Sequence, residues 1–464
     1  MSSNKLITPS STSVSFMELQ FPPIPLLLAS LLFIFILVKN MKRFKPKNST
    51  PKLPPGPRKL FLIGNIHQLL GSALAHHTLK KLATKFGPLM HLQLGEMSTI
   101  VVSSPEIAKE VMKTHDIVFV QRPYSFASRI LSYDSQNIAF SPYGDYWRQM
   151  QKKFGRGSIE SSKINETSPI NLSKKIFVLM YGVTARVAFG RETEGQEEFV
   201  SIVEEVADLI DGFTIVDMYP SVKLFQVISG IRGTLKKMHK RIDRILENIV
   251  NDHRERKRIT ESGKGEEEDL VDVLLRIQKH GDLEFPLTDN NIKAVILIAR
   301  SETPSTIVDW AMSEMLKNPQ VMKRAQAEAR SVFDKKVNVG ETCLHELKYL
   351  SSKAVNNVHL MDTTYLPRPK SLSMLGAIGQ DPKYWNEAEK FDPERFLDSE
   401  IDFKGRDFEF IPFGAGRRIC PAISFAIPNV ELPLAQLLYN FDWKLPDGKN
   451  YEELDMEEDL GLIV

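Results

Sequence analysis

The strongest hydrophobic signal in the chain is an apolar run from residue 21 to residue 38, in which only Ser30 is neither apolar nor proline. The run is close to the roughly 20 residues that a helix needs to span a bilayer. Lys5 precedes it, whereas a basic cluster follows it directly: Lys39, Lys42, Arg43, Lys45 and Lys47. This asymmetry predicts an uncleaved membrane anchor with the C-terminal bulk of the chain in the cytoplasm. A cleaved signal peptide is the alternative, but no small-residue cleavage site follows Val38.

Polar and proline-rich segments flank this run and divide the chain. Residues 1–20 form an N-terminal extension that begins with a stretch rich in serine and threonine. Residues 39–60 form a basic, proline-rich linker. Because proline fixes its own φ angle, the stretch from 51 to 57 is expected to be a stiff spacer. Residues 61–464 are expected to form the folded domain.

Beyond the linker the hydrophobic pattern is mostly helical. Apolar residues recur at i, i+3 and i+4 in 197–210 and 235–250, which is typical of amphipathic helices. A long helix is predicted over 290–317. Short β-prone runs at 89–94 and 99–103 predict a hairpin. We therefore expect a mainly α-helical domain with small β-sheets.

Composition excludes several classes of function. Lys and Arg total 60 and Asp and Glu total 58, so the charge balance gives no indication of a nucleic-acid partner. The chain has 2 cysteines, Cys343 and Cys420, which provide no disulfide framework and fit a reducing compartment. Neither a CxxC pair nor a His/Cys cluster occurs, so a zinc site is not expected.

One of these cysteines lies in a glycine-bearing loop, FIPFGAGRRICPAISFAIP, at residues 410–428. A thiolate that binds a metal needs a tight approach of the backbone, and Gly416 can adopt conformations that other residues avoid. Backbone N–H groups and nearby arginines would favour the deprotonated form of Cys420. Phe413 and Ile419 would exclude water. The alternative is a buried cysteine that packs as a small apolar residue.

The spacing Phe413-x-x-Gly416-x-Arg418-x-Cys420 resembles the haem-binding loop of the cytochrome P450 family, the haem-thiolate monooxygenases. The resemblance is greatest to plant microsomal members that oxidise terpenoids. It implies haem b as the cofactor, Cys420 as the axial iron ligand and Arg418 as a partner of a haem propionate. The family pattern continues Cys-x-Gly, where this chain has Ala422.

A second stretch resembles the family's Trp-x-x-x-Arg motif, whose two side chains bind a haem propionate. Trp147 keeps the first position, but Gln151 stands at the last and cannot pair ionically with a carboxylate. Arg148 or Lys152 would take the place of the missing arginine. Without the resemblance, Trp147 is equally well explained as a packed core indole.

Glu302 and Thr303 resemble the acid and alcohol of the family's oxygen-activation segment, Ala-Gly-x-Asp/Glu-Thr-Thr/Ser, where the pair delivers protons. Two neighbours depart from that pattern. Arg300 replaces a glycine that leaves room above the haem. Pro304 lacks a helical N–H and costs about 3 kcal/mol in an ordinary helix interior.

Further departures leave three functions open. The family's Glu-x-x-Arg pair is missing, and the domain is expected to be incomplete at 351–376 and at its C-terminus. Arg395 would then lack its usual partners. The chain is therefore an active monooxygenase, a catalytically impaired member of the family, or a membrane-anchored scaffold that binds no haem.

The resemblance also implies a reaction and partners. One oxygen atom of O2 would enter a small lipophilic substrate, with electrons from NADPH delivered by NADPH–cytochrome P450 reductase. The reductase would dock on the basic face near Arg417. The protein would be a single-pass protein of the endoplasmic reticulum membrane, with its catalytic domain in the cytoplasm.

Overall fold

The structure is a computed structural model that describes residues 53–69, 75–122, 125–153, 171–190, 198–199, 201–202, 205, 214–260, 268–298, 302–336, 340–351, 371–373, 375–388, 390–396, 399–445, 450–451, 454 and 456. The chain divides into two units, Met1–Leu53 and Pro54–Val464. The predicted anchor, the N-terminal extension and residues 39–52 of the linker lie outside the described residues. Among the residues that are described, no helix combines the length and the apolar character needed to cross a bilayer.

Helices dominate the second unit, as the hydrophobic pattern predicts. Their bounds are α1 Ile66–Leu69, α2 Ala75–Phe86, α3 Pro105–Lys109, α4 Asp116–Phe119, α5 Phe126–Leu131, α6 Asp145–Lys153, α7 Leu172–Phe189, α8 Ile215–Met218, α9 Lys223–Ile228, α10 Ile231–Thr260, α11 Leu270–His280, α12 Asp289–Ile298, α13 Glu302–Lys317, α14 Pro319–Phe333, α15 Leu375–Gly379 and α16 Ile423–Asn440. A π-helical turn, Glu110–Thr114, follows α3, and 3-10 turns occupy Glu341–Glu346, Pro393–Phe396 and Gly416–Arg418.

A small sheet accompanies the helices. The predicted hairpin is confirmed: β1 (Leu89–Leu94) pairs antiparallel with β2 (Met97–Val102). The short strand β3 (Ser371–Ser373) pairs parallel to β2. Gly95 turns the hairpin at a φ of +61°, and a Cβ there would lie 2.7 Å from the carbonyl oxygen of Met218.

Two apolar cores hold the helices together. In the first, helix α10 buries one face against α5, α11 and α12, and Leu235, Ile242 and Leu246 are each 0% exposed. These positions follow the helical repeat that the sequence shows over 235–250. In the second core, α16 packs with α7, α13 and α14. Because α16 begins directly after the cysteine loop, this core fixes the position of that loop.

Candidate functional site

The cysteine loop is built on a close contact between two backbones. Gly416 has a φ of +66°, and a Cβ at this position would lie 1.8 Å from the carbonyl oxygen of Met112, in the π-helical turn. Only glycine fits here, since both the conformation and the space exclude a side chain. The backbone N–H of Cys420 donates to the carbonyl of Phe413 at 2.9 Å, which closes the loop. The short 3-10 turn between them holds the cysteine at the start of α16.

Arg418 is buried beside this loop. Its Nε donates to the carbonyl of Val120 at 2.9 Å, and its Nη2 donates to the carbonyl of Ser141 at 2.7 Å. Its Cζ lies 4.4 Å from the ring centroid of Trp147. Burial, and next the charge of Arg122, lower the pKa of Arg418 to about 9. The guanidinium therefore lies where a negatively charged partner would relieve the cost of burying it.

The indole of Trp147 serves as the platform for this guanidinium. Trp147 lies on α6 and is 3% exposed. Its Nε1–H donates to the carbonyl of Ile138 at 2.9 Å, so the ring nitrogen is already engaged within the protein. The structure thus places the ring face of Trp147 against the guanidinium of Arg418. A hydrogen bond from Trp147 to a propionate stays a prediction.

Burial has a larger effect on the pKa of the Cys420 thiol than the neighbouring polar and charged groups have. Desolvation raises the pKa of its thiol, while the backbone N–H of Ala422 and the charge of Arg122 lower it in part. A backbone N–H and an arginine therefore favour the thiolate, as expected, but without a metal the effect of burial on the pKa is larger. A bound metal would reverse the balance, because coordination deprotonates a cysteine thiol.

Arg122 is the site residue that the sequence reasoning did not identify. Its charge acts on both Arg418 and Cys420, so it lies close to each of them. Burial lowers the pKa of Arg122 to about 10, and the charge of Cys420 opposes this shift. Its sequence signal was weak: one arginine at the end of the segment Ile117-Val118-Phe119-Val120-Gln121.

These two buried arginines fit an anionic cofactor. Nη1 of Arg418 is inaccessible to solvent and has no hydrogen-bond partner among the residues that the structure describes. A buried guanidinium whose pKa is lowered by desolvation and by a neighbouring cation is stabilised by a carboxylate placed beside it. Haem b carries two propionates and needs one thiolate. Arg122, Arg418 and Cys420 together supply that donor set.

The side chains of two other predicted cofactor contacts, Arg148 and Phe413, are engaged with neighbours in the protein. Arg148 forms an exposed ion pair with Asp145, and its Cζ lies 5.6 Å from the ring centroid of Tyr143. Phe413 is half-buried and packs edge to face on Phe403, with 5.8 Å between ring centroids. The haem roles predicted for Arg148 and Phe413 therefore stay predictions.

The predicted proton-delivery pair lies at the N-terminal end of α13. Thr303 is exposed there, and the side chain of Glu302 lies outside what the structure describes. Residues 299–301, including Arg300, lie outside the described residues, so the continuity of the predicted helix 290–317 is untested. The described part of helix α13 begins at Glu302, directly after the residues that the structure does not describe. The helix-interior cost expected for Pro304 therefore stays a prediction.

Arg395 forms hydrogen bonds with two backbone carbonyls. Its Nη2 donates to the carbonyls of Glu387 and Lys390 at 3.0 and 2.8 Å. Burial lowers the pKa of Arg395, while the charges of Asp392 and Glu387 raise it in part. The segment expected to be incomplete lies mostly outside the described residues, which omit 352–370.

Three comparisons with known proteins show which proteins the chain is similar to. The chain matches the family model described as Cytochrome P450 over residues 54–157, 156–355 and 370–463. It is 48% identical to Cytochrome P450 71D10 of Glycine max and 46% identical to Tabersonine 16-hydroxylase 2 of Catharanthus roseus, and each alignment covers 94% of both chains. A zebrafish cytochrome P450 structure with progesterone superposes with a TM-score of 0.67 at 22% identity, covering 85% of this chain and 97% of that chain. That last likeness supports the fold alone.

Proposed function

Because the chain belongs to the cytochrome P450 family, we propose that it inserts one oxygen atom of O2 into a small lipophilic plant metabolite. The family is one of monooxygenases whose cofactor is haem b with a cysteine thiolate ligand, and whose electrons come from NADPH through a reductase. The observation that carries the proposal is the burial of Arg122 and Arg418 around Cys420, which matches the charges of that cofactor.

Each residue of the site has a proposed task. Cys420 would hold the haem iron, and Arg418 and Arg122 would hold the haem propionates. The ring of Trp147 would orient the guanidinium of Arg418. When bound, the haem supplies activation of O2, and the electron density of the thiolate promotes it. Glu302 and Thr303 would move protons to the reacting oxygen.

The substrate class is proposed from the resemblance to plant microsomal members and from the name of one relative. The resemblance to plant microsomal members favours a terpenoid or another small lipophilic metabolite. The relative named for 16-hydroxylation of tabersonine is similar over nearly the whole chain. Tabersonine and a panel of terpenoids are therefore the first compounds to test.

An exposed apolar surface supports attachment to a membrane. Leu60, Phe61 and Leu62 are 51%, 65% and 50% exposed, and Val227 and Ile228 on α9 are 75% and 69% exposed. Tyr219, in the turn before α9, joins the two segments: its Oη donates to the carbonyl of Leu62 at 3.3 Å, and its ring packs on Phe225 of α9. Burying such side chains in lipid is favourable, because it removes apolar area from water.

Residues 21–38 would then anchor the chain in the endoplasmic reticulum membrane with the domain in the cytoplasm. This topology has a direct test, because glycosylation sequons begin at Asn48, Asn165 and Asn171. All of them would stay unmodified in the cytoplasm. A mobility shift on treatment with a glycosidase would contradict the proposed topology.

The reductase is proposed to dock beside the cysteine loop. Arg417 is half exposed there, with its Nε 2.8 Å from Asp116 and its Nη1 3.1 Å from the hydroxyl of Tyr143. An exposed cation held in a fixed position is suited to an acidic partner surface. An Arg417→Glu variant should be reduced by the reductase more slowly and keep its haem.

The deciding experiment is a reduced carbon-monoxide difference spectrum of membranes that contain the chain and a reductase. A strongly red-shifted Soret band, lost in Cys420→Ser and kept in Cys343→Ser, would support the assignment of the haem ligand. NADPH-dependent turnover of a metabolite would then separate an active monooxygenase from an impaired one. Protein without the band would favour a scaffold that binds no haem and would overturn the proposal.

A further inference from the structure

A cavity whose lining contains no residue of the cysteine loop lies beside helix α10. It has a volume of about 580 Å³ and is walled by α5, the turn after it, α9, α10 and the start of α12. None of the residues assigned to the haem lines it. Its volume lies within the roughly 300–1,000 Å³ typical of sites for small molecules.

The wall of this cavity is cationic. Arg232 and Lys236, one turn apart on α10, line it together with His239. Arg129 and Asp134 also line it, but Arg129 Nε lies 2.8 Å from Asp134, so these two charges neutralise each other. Within the described part of the chain, Arg232 and Lys236 have no hydrogen-bond or ion-pair partner.

Nearby acids compensate these cations only in part. Asp243 and Glu247, farther along α10, both form ion pairs with Lys293, with 2.7 Å between Lys293 Nζ and Asp243. The single ammonium group of Lys293 balances one of these two carboxylates, which leaves one negative charge against the two positive charges of Arg232 and Lys236. The balance of charge therefore stays positive and favours an anionic ligand.

His239 adds an unsatisfied polar atom. Its Nδ1 is inaccessible to solvent, and no residue in the described ranges offers it a hydrogen bond. The ring packs edge to face on Tyr133, with 4.8 Å between centroids. A buried polar atom without a partner is costly, so a ligand in the cavity gains if a rotation of the His239 ring brings Nδ1 within its reach.

The opposite wall is apolar and rigid. Phe126 and Ile130 on α5 line it with the ring of Tyr133. Tyr133, Asp134 and Ser135 have φ angles of 52°, 59° and 62°, a conformation that non-glycine residues rarely adopt. The hydroxyl of Tyr133 donates to Asp243 at 2.8 Å, which fixes the ring. Such strained segments cluster at ligand sites, where the surrounding structure holds them.

We propose that this cavity is a second ligand site, for a small organic anion with an apolar body. The carboxylate or phosphate of the ligand pairs with Arg232 and Lys236 and contacts His239. Its apolar part packs against Phe126, Ile130 and Tyr133. The anion comes either from a soluble acid or from the headgroup of an anionic lipid. The proposal is independent of haem chemistry.

Binding of 2-naphthoate, against its neutral analogue 2-naphthamide, tests the proposal on the full chain in phosphatidylcholine nanodiscs. Ligand fluorescence anisotropy gives the affinity. We expect Arg232→Gln/Lys236→Gln to bind 2-naphthoate about tenfold more weakly, which is the combined effect of losing two solvent-exposed charge pairs. Affinity for 2-naphthamide should stay the same. The matched control, Lys237→Gln/Lys240→Gln, removes equal charge from α10 outside the cavity lining and should bind 2-naphthoate as the unmodified chain does.

Two further measurements complete the test: the effect of phosphatidylglycerol and a circular dichroism control. If adding phosphatidylglycerol weakens binding of 2-naphthoate, the lipid headgroup shares the site; if it does not, the site takes soluble acids. Both results support an anion site. Equal affinity for 2-naphthoate in all variants, or an equal loss in both double variants, overturns it. Far-UV circular dichroism of each variant shows that the fold is kept, and failure here leaves the proposed function intact because no turnover is measured.

Discussion

The guanidinium of Arg418 lies over the indole ring of Trp147, with 4.4 Å from Cζ to the ring centroid. This contact joins the cysteine loop to helix α6. A cation over the face of an indole is attracted by the ring quadrupole, more strongly when both groups are out of water. The contact therefore orients the guanidinium while leaving its Nη1 available to an anionic partner.

This geometry predicts that Arg418→Lys weakens retention of haem about tenfold. Lysine keeps the charge, but it cannot donate to the carbonyls of Val120 and Ser141 while it also stacks on Trp147. Haem per polypeptide, measured by absorbance after gel filtration, checks the effect. Arg417→Lys is the matched control: Arg417 is half exposed, so this variant should retain haem normally. Equal retention by both variants would show that Arg418 does not hold the cofactor.

The two glycines of the loop should respond differently to alanine. Gly416→Ala puts a Cβ 1.8 Å from the carbonyl oxygen of Met112 at a φ of +66°. It should lower the free energy of unfolding by at least about 3 kcal/mol, from steric overlap and the left-handed conformation together. Gly414→Ala has a φ of +70° and no atom within 4 Å, so it should cost about 1–2 kcal/mol. Pulse proteolysis in urea measures both, and a cost for Gly414→Ala as large as for Gly416→Ala would refute the predicted contact.

A buried hydrogen-bonded pair, His253 and Asp269, joins α10 to the start of α11. His253 is 0% exposed, and its Nδ1 donates to the carbonyl of Ile249 at 2.7 Å while Nε2 lies 2.9 Å from Asp269. His253→Leu should lower the free energy of unfolding by about 3 kcal/mol, because it leaves the carboxylate buried without its partner. Urea denaturation checks this value. His280→Leu, at an exposed position of α11, should change stability little, and a similar loss there would point to a general effect of leucine.

Asp309 should make stability depend on pH. Burial raises the pKa of this carboxyl above its ordinary value of 3.8, and a hydrogen bond from Ser173 lowers it in part. The folded state therefore binds the proton more tightly than the unfolded chain. The stability that this gives is complete below pH 3.8 and is lost as the pH rises through the folded pKa.

Asp309→Asn removes this dependence. The variant should gain free energy of unfolding relative to the unmodified chain at pH 7.5, and the gain should shrink at pH 4. Urea denaturation at the two pH values measures the difference. Asp282→Asn, at an exposed position, is the control and should show no such trend. An advantage for Asp309→Asn that stays constant with pH would rule out its titration as the cause.

Local motifs could be predicted because neighbouring residues in sequence carry them. The hairpin of β1 and β2 follows from β-prone runs around Gly95, and the buried face of α10 follows from its helical repeat. Arg122 and His253 could not be found this way. Each acquires its role from residues that are distant in sequence, and spacing along the chain does not encode those contacts.

By itself the sequence determined the cysteine loop, the helical character of the domain and membership of the family. It could do so because Phe413, Gly416, Arg418 and Cys420 stand at fixed spacing, and the backbone constraint on a glycine is local. Only the tertiary structure decided the electrostatics of the site. Whether the thiol of Cys420 holds its proton depends on how burial compares with the charge of Arg122. Both quantities are set by packing between segments that lie far apart in the chain.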